Sequence, residues 1–333
     1  MRSLIEAGFD RTATLLPDGR VLVVGGFRME MLRSAELYDP VAGTATATKP
    51  MADGRTFHSA TLLSDGRVLV AGGEQVTGAL ASAEIYDPKD ESWTATAAMH
   101  EARSGHTATL LADGRVLLVG GWGGEGPREL ASAELFDPAT GSWTSTGSLN
   151  APRSIHTATR LADGRILVAG GVLDANRLAT GEIFDPATGS WAVTRDMPDR
   201  RSEHATALLA DGRVLVTGGV SPAPLGTSAI FDPATSAWTR VADMRVIRSE
   251  HTATLLADGT VLVAGGSGAG GTLASAERYD PAADKWTPTG PMVTGLAGRV
   301  AIRLGDGRVL VIGGASTIEG VPAVEVFDLA ATP

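Results

Sequence analysis

Seven times, at intervals of 47 to 50 residues, the chain repeats one pattern: an Asp-Gly pair, a short apolar run, then a Gly-Gly pair. The Gly-Gly pairs begin at Gly25, Gly72, Gly120, Gly170, Gly218, Gly265 and Gly313. The Asp-Gly pairs begin at Asp18, Asp65, Asp113, Asp163, Asp211, Asp258 and Asp306. A unit of this length cannot bury its own apolar face and must stack on copies of itself. No linker, charge run or low-complexity segment interrupts the 333 residues, so one domain over 1–333 is expected despite a length that ordinarily suggests more. A pattern common to every copy records what each unit needs to fold. Functional residues are therefore sought where the copies differ.

In the third copy, 106–111 is apolar and β-branched and reads as a strand. Asp113-Gly114 predicts a two-residue hairpin turn with positive φ, and 116–119 a second strand, apolar throughout and so buried on both faces. Gly120-Gly121 ends that strand where backbone freedom or close approach is needed. After a variable loop, 133–136 reads as a third strand, 137–141 as a turn containing Pro138, and 143–146 as the outermost strand. No helical periodicity occurs anywhere, and four antiparallel strands per unit make a propeller blade.

After each Gly-Gly comes a Tyr or Phe (Tyr38, Tyr86, Phe136, Phe184, Phe231, Tyr279, Phe327), and seven residues later, in five copies, a Trp (Trp93, Trp143, Trp191, Trp238, Trp286). This arrangement resembles the kelch motif over essentially the whole chain. The resemblance implies an all-β fold, a seven-bladed β-propeller of four-stranded antiparallel blades at about 11–50, 51–98, 99–148, 149–196, 197–243, 244–291, and 292–333 with 1–5. The interval from Trp to the following His is constant, as in Trp93 to His106 and Trp238 to His251. Counting back from Arg11 puts the corresponding Trp before Met1. The chain is thus expected to begin and end within the outermost strand of the seventh blade, with its N-terminus packed beside 323–328.

The repeats are also similar to the propeller of galactose oxidase-like proteins, whose copper site uses tyrosines, histidines and a Tyr–Cys crosslink. This chain has no cysteine, and its three tyrosines all occupy the third-strand repeat position, so copper chemistry is not expected. Disulfides and thiolate metal sites are excluded with it. The net charge is −10 and the arginines recur at repeat positions, which leaves no basic surface for a nucleic acid. No apolar run approaches the roughly 20 residues of a membrane-spanning helix. The first residues lack the apolar stretch of a signal peptide, so the default compartment is the cytoplasm, or the exterior if a signal has been removed. A monomer is expected.

Five of the six histidines share one repeat position (His58, His106, His156, His204, His251), each three residues after an arginine (Arg55, Arg103, Arg153, Arg201, Arg248). A ring around a wide channel does not bring three or four ligands into one shell, so no metal and no cofactor are expected there. Histidine on an innermost strand can instead satisfy neighbouring groups, and each arginine can pair with Glu36, Glu84, Glu134, Glu182, Glu277 or Glu325. The Asp-Gly turns, as hairpins, need no calcium.

Antiparallel order puts the loops after Gly-Gly and the Arg-x-x-His segments on one face, and that face varies in length and content. Binding residues favour variable loops on a rigid frame. The residue after Gly-Gly runs Phe27, Glu74, Trp122, Val172, Val220, Ser267, Ala315, so the first three blades offer two aromatics and an acid. Trp122 is the only tryptophan away from the outermost-strand position, and the first loop, Phe27-Arg28-Met29-Glu30-Met31, is unusually apolar. The Arg-x-x-His rule fails in the first and seventh blades, which carry Asp10-Arg11 and Gly298-Arg299. The candidate ligand-binding set is Asp10, Arg11, Phe27, Arg28, Glu74, Trp122 and Arg299. It predicts a binding scaffold that presents blades seven, one, two and three to a peptide, protein or glycan. The alternative is a metal-independent enzyme acting on a small anionic or sugar-like substrate. The kelch-type sialic-acid mutarotases suggest that class, although no motif here matches theirs residue by residue.

Overall fold

A computed structural model describes residues 4–124, 126, 128–296, 300–313 and 323–327. Six four-stranded antiparallel sheets follow one another along the chain, then a three-stranded one, and no helix occurs among the described residues. The chain divides into two compact units, Met1–Ser154 with Ile312–Val324 and Ile155–Val311 with Glu325–Pro333. The second sheet, in the first unit, is typical. Its strands Ser59–Leu62, Val68–Ala71, Ala83–Asp87 and Ser92–Ala95 lie side by side from innermost to outermost. The seventh sheet comprises Val300–Arg303, Val309–Gly313 and Ala323–Phe327. The expected packing of the N-terminus beside 323–328 falls partly outside the described residues.

Every second strand is buried along its length, which is why it reads as a continuous apolar run. The core lies between successive sheets. Leu22, Val24 and Leu37 of the first blade pack with Val68, Val70 and Tyr86 of the second, and Leu215 and Ile230 of the fifth with Val261, Val263 and Tyr279 of the sixth. Trp93 stacks obliquely on Tyr86 at 5.0 Å, and its indole N–H donates to the carbonyl of Lys49 in the segment leading into its own blade. The outermost tryptophan thus fastens the connection as well as the sheet.

The Asp-Gly hairpins differ from the expected two-residue turns. Only the glycine has positive φ (Gly19, 87°), whereas a two-residue type I′ turn needs it at both positions. Leu16 N–H donates to Arg20 O at 2.8 Å and Gly19 N–H to Leu16 O at 3.0 Å, closing a three-residue loop with a glycine bulge. The aspartate takes its place in that loop by accepting the Arg20 amide at 3.0 Å and the Arg20 Nε at 2.8 Å. The sixth blade alters this pair in a compensated way. Thr260 stands where the others have arginine, and Arg278, replacing the usual apolar residue of the third strand, reaches Asp258 instead.

The Gly-Gly pairs mark close contact between blades. A β-carbon on Gly72 (φ 62°) would lie 2.5 Å from Arg103 O and 2.7 Å from His106 Cε1 of the next blade. The Gly73 N–H donates to that same Arg103 carbonyl at 2.9 Å, and the bond recurs from Gly26 to Arg55, Gly121 to Arg153, Gly171 to Arg201 and Gly219 to Arg248. Gly259 has a similar φ of 83° but nothing within 4 Å. Gly259→Ala should therefore cost about 1 kcal/mol of backbone strain, and Gly72→Ala about 3 kcal/mol or more, as read from urea unfolding midpoints.

Candidate functional site

The face carrying the loops is held by a short backbone register. In four blades the residue after the Arg pairs with the residue after the same blade's Gly-Gly: Thr56 with Glu74, Ser104 with Trp122, Ser202 with Val220 and Ser249 with Ser267. Several of the loops expected to be irregular fold back as two-residue ribbons, Glu74–Gln75 with Gly78–Ala79 and Trp122–Gly123 with Arg128–Glu129. The third residue of each Arg-x-x-His segment is left-handed: Phe57 (50°), Gly105 (58°), Ile155 (51°), Glu203 (54°) and Glu250 (52°), with Asp10 (52°) at the matching place. Such a φ is costly for a side-chain-bearing residue, so its recurrence is imposed by the anchors on either side.

Those anchors are buried. The Arg55 guanidinium donates to Gly72 O at 2.8 Å, Ser82 O at 3.1 Å, Ser82 Oγ at 3.3 Å and Glu84 Oε1 at 3.1 Å, all within its own blade. Arg103 with Glu134 (2.7 Å) and Arg248 with Glu277 (2.9 Å) repeat the arrangement. Each glutamate also accepts two successive backbone amides from the entering segment, Ala52 and Asp53 on Glu84, Arg245 and Val246 on Glu277. Burial opposes ionisation of Glu134, but the amide of His100 and the guanidinium of Arg103 outweigh it and hold its carboxyl below the usual range. In the fifth blade Ala229 replaces the glutamate. Arg201 pairs there with Asp199 at 3.2 Å, and burial lowers its pKa to about 10.

Histidine serves the joint between blades. His58 Nε2 lies 2.9 Å from Thr12 Oγ1, His106 Nε2 2.9 Å from Ser59 Oγ, His204 Nε2 2.8 Å from Thr157 Oγ1 and His251 Nε2 2.8 Å from Thr217 Oγ1. In each pair the hydroxyl belongs to the preceding blade. Among the described residues no group of three or more His, Asp or Glu stands close enough to hold a metal ion. The three tyrosines are fully buried in separate third strands, so they do not supply the donor set of a copper–tyrosine centre.

The structure distributes the seven candidate residues as follows. Arg11 is buried, and although it stands at the histidine position its guanidinium fills the arginine slot of its own blade. It meets Glu36 Oε1 and Glu6 O, both at 2.7 Å, and Ser34 Oγ at 3.4 Å. The residue read from sequence as a ligand cation is therefore engaged in an internal ion pair. Asp10, half-buried, occupies the left-handed position beside it. Phe27 pairs through its backbone with Phe9 and is 38% exposed, Arg28 is exposed at the loop tip, and Trp122 is 37% exposed. Glu74 is half-buried and accepts the Ser104 hydroxyl at 3.2 Å. Arg299 lies outside the described residues. Phe57, 46% exposed, was missed by the sequence reading, although it varies between two repeated residues and could have been found by that signal.

The first unit thus places Phe27, Phe57, Glu74 and Trp122, from three successive blades, on one face. Gly105 N–H donates to Phe57 O at 3.0 Å, and Ser104 links Glu74 to Trp122. This is a surface with a hydrogen-bonded backbone and varied side chains.

A family model described as the KLHDC2/KLHL20/DRC7 Kelch-repeats domain matches residues 94–247, and one for the Kelch motif matches 55–100 and 250–293. The chain belongs to the kelch-repeat β-propellers. Among solved structures it is similar to a fungal alcohol oxidase of the AA5 family, in complex with copper, with a TM-score of 0.79 and 17% identity over 98% of this chain and 76% of that one. It is also similar to YjhT, with a TM-score of 0.68 and 15% identity over 87% of this chain and 99% of that one. At these identities the likeness is one of fold. No curated protein matches the sequence.

Burial, reinforced by Arg55 and Arg11, holds the His58 pKa at about 3, and burial with Arg201 does the same for His204. Both folded values lie below the unfolded value of about 6.5. The stability these neutral rings contribute is complete above that value and is lost as pH falls towards about 3. Each should remove about 1.4 kcal/mol per pH unit on the acid side. His58→Gln should reduce the pH slope of urea stability by one proton between about pH 6 and pH 4.

Proposed function

We propose that the chain is a binding module whose contact surface is the face of the first three blades, taking a polypeptide segment. The observation that carries this reading is the exposure of Phe27, Phe57 and Trp122 together with Met29 on elements whose backbone is otherwise fixed. Aromatic and Met side chains are those that interfaces enrich. The kelch propeller is a frame that serves scaffolds and enzymes alike, so the site and not the fold supports the choice. Part of the seventh blade's contribution, residues 297–299, lies outside the described residues.

One observation favours an enzyme. In the second unit Glu250 N–H donates to Glu203 O at 2.9 Å, and burial, then the charge of Glu250, push the Glu203 carboxyl above its usual range against the pull of Arg177. A raised carboxyl can serve as a general acid or base. Anomer or isomer interconversion of reducing sugars, followed by NMR and lost in Glu203→Gln, would support that reading.

The binding reading is tested by selecting displayed random peptides on the wild-type protein and on Trp122→Ala and Phe57→Ala. Enriched peptides should lose at least about tenfold in affinity for either variant, while thermal midpoints stay within about 2 °C. Unchanged binding, or a collapse in stability, would return these rings to the scaffold.

A further inference from the structure

We propose that this face recognises an arginine side chain of the bound polypeptide, with Glu74 as the counter-charge and Trp122 and Phe57 as the flanking surfaces; the proposal rests on the binding reading above.

The glutamates Glu36, Glu84, Glu134 and Glu277 are each joined to an arginine of their own blade. Glu74, on the face of the first three blades, has no such partner among the described residues. It is half-buried, and its carboxylate accepts the Ser104 hydroxyl and meets no Lys, Arg or His within ion-pair distance among the described residues. A carboxylate partly withdrawn from water and lacking a counter-ion gains most from a cation that arrives with a partner.

Its surroundings select the kind of cation. Ser104, whose hydroxyl holds one Glu74 oxygen, pairs through its backbone with Trp122, and its Oγ lies 3.4 Å from Trp122 O. On the other side Glu74 pairs through its backbone with Thr56, the neighbour of Phe57. A carboxylate on a strand whose backbone neighbours lead to exposed aromatic residues on either side suits a planar guanidinium, which offers a fork of donors to the acid and a flat face to a ring and is more weakly hydrated than an ammonium. The neighbouring cation Arg128 stands 3.7 Å from Glu101, and Arg28 lies at the tip of another loop, so neither occupies the place. The net charge of −10 favours the approach of a basic segment.

The test begins with peptides enriched on the wild-type protein. They should share an arginine, and its replacement by citrulline, which keeps shape and removes charge, should weaken binding by about tenfold or more. Glu74→Gln, which retains an acceptor for Ser104 and so should fold as the wild type, should cause a similar loss. Combined with the citrulline peptide it should cause no further loss. Lysine in place of arginine should bind more weakly than arginine. Enrichment of peptides that depend on Trp122 but carry no shared arginine would overturn the proposal and leave the binding reading standing. So would indifference to Glu74→Gln, or equal binding of lysine. Failure to enrich any peptide that depends on Trp122 or Phe57 would overturn both.

Discussion

The close approach of one blade's Gly-Gly to the next blade's Arg-x-x-His segment is the contact on which the remaining structure depends. It leaves no room for a β-carbon on Gly72, since the His106 ring and the Arg103 carbonyl already fill that space. The Gly73–Arg103 hydrogen bond ties neighbouring blades through main chain alone, and the Ser59–His106 pair adds a side-chain tie beside it. The arginine that follows from this placement is wholly buried, so it must be paired inside its blade, and Glu84, Glu134 and Glu277 answer that need. One steric constraint thus accounts for glycine, histidine, arginine and glutamate at fixed places in the repeat.

Much of this was legible in the sequence because the constraint repeats. Strand order, the apolar second strand and the structural role of Arg, His and Glu all follow from residues that return every 47 to 50 positions. The turn type was not legible. Asp-Gly is compatible with more than one hairpin, and the choice depended on the Leu16–Arg20 hydrogen bond, which composition does not reveal. Arg11 shows a second limit. Its alignment with histidine was right, yet its longer side chain reaches the vacant arginine slot and Glu36, a substitution in space that spacing alone does not report. Glu74 and Trp122 were visible as departures from the repeat, whereas Phe57 was hidden inside it.

Departures from the repeat are of two kinds, and the structure separates them by pairing. Thr260 with Arg278, Ala229 with Asp199, and Arg11 with Glu36 are exchanges in which a lost partner is replaced from elsewhere, so the frame is preserved. Phe27, Phe57 and Trp122 replace nothing and remain exposed. Compensated departures describe how a repeat tolerates change; uncompensated ones leave their side chains exposed, and the proposed binding surface is built from them.

The left-handed residue between the arginine and histidine anchors has a consequence for how such a surface can change over evolutionary time. Phenylalanine, glycine, isoleucine and two glutamates occupy it at nearly the same φ, between 50° and 58°. The anchors set the backbone and impose a toll of about 1–2 kcal/mol, smaller for asparagine or aspartate, larger for a β-branched residue such as Ile155 and absent for glycine. Among the described residues, six blades carry one such position, and the anchors hold the backbone around it. The chemistry of that face can change by single substitutions while the Gly-Gly and Arg contacts that stack the blades remain in place.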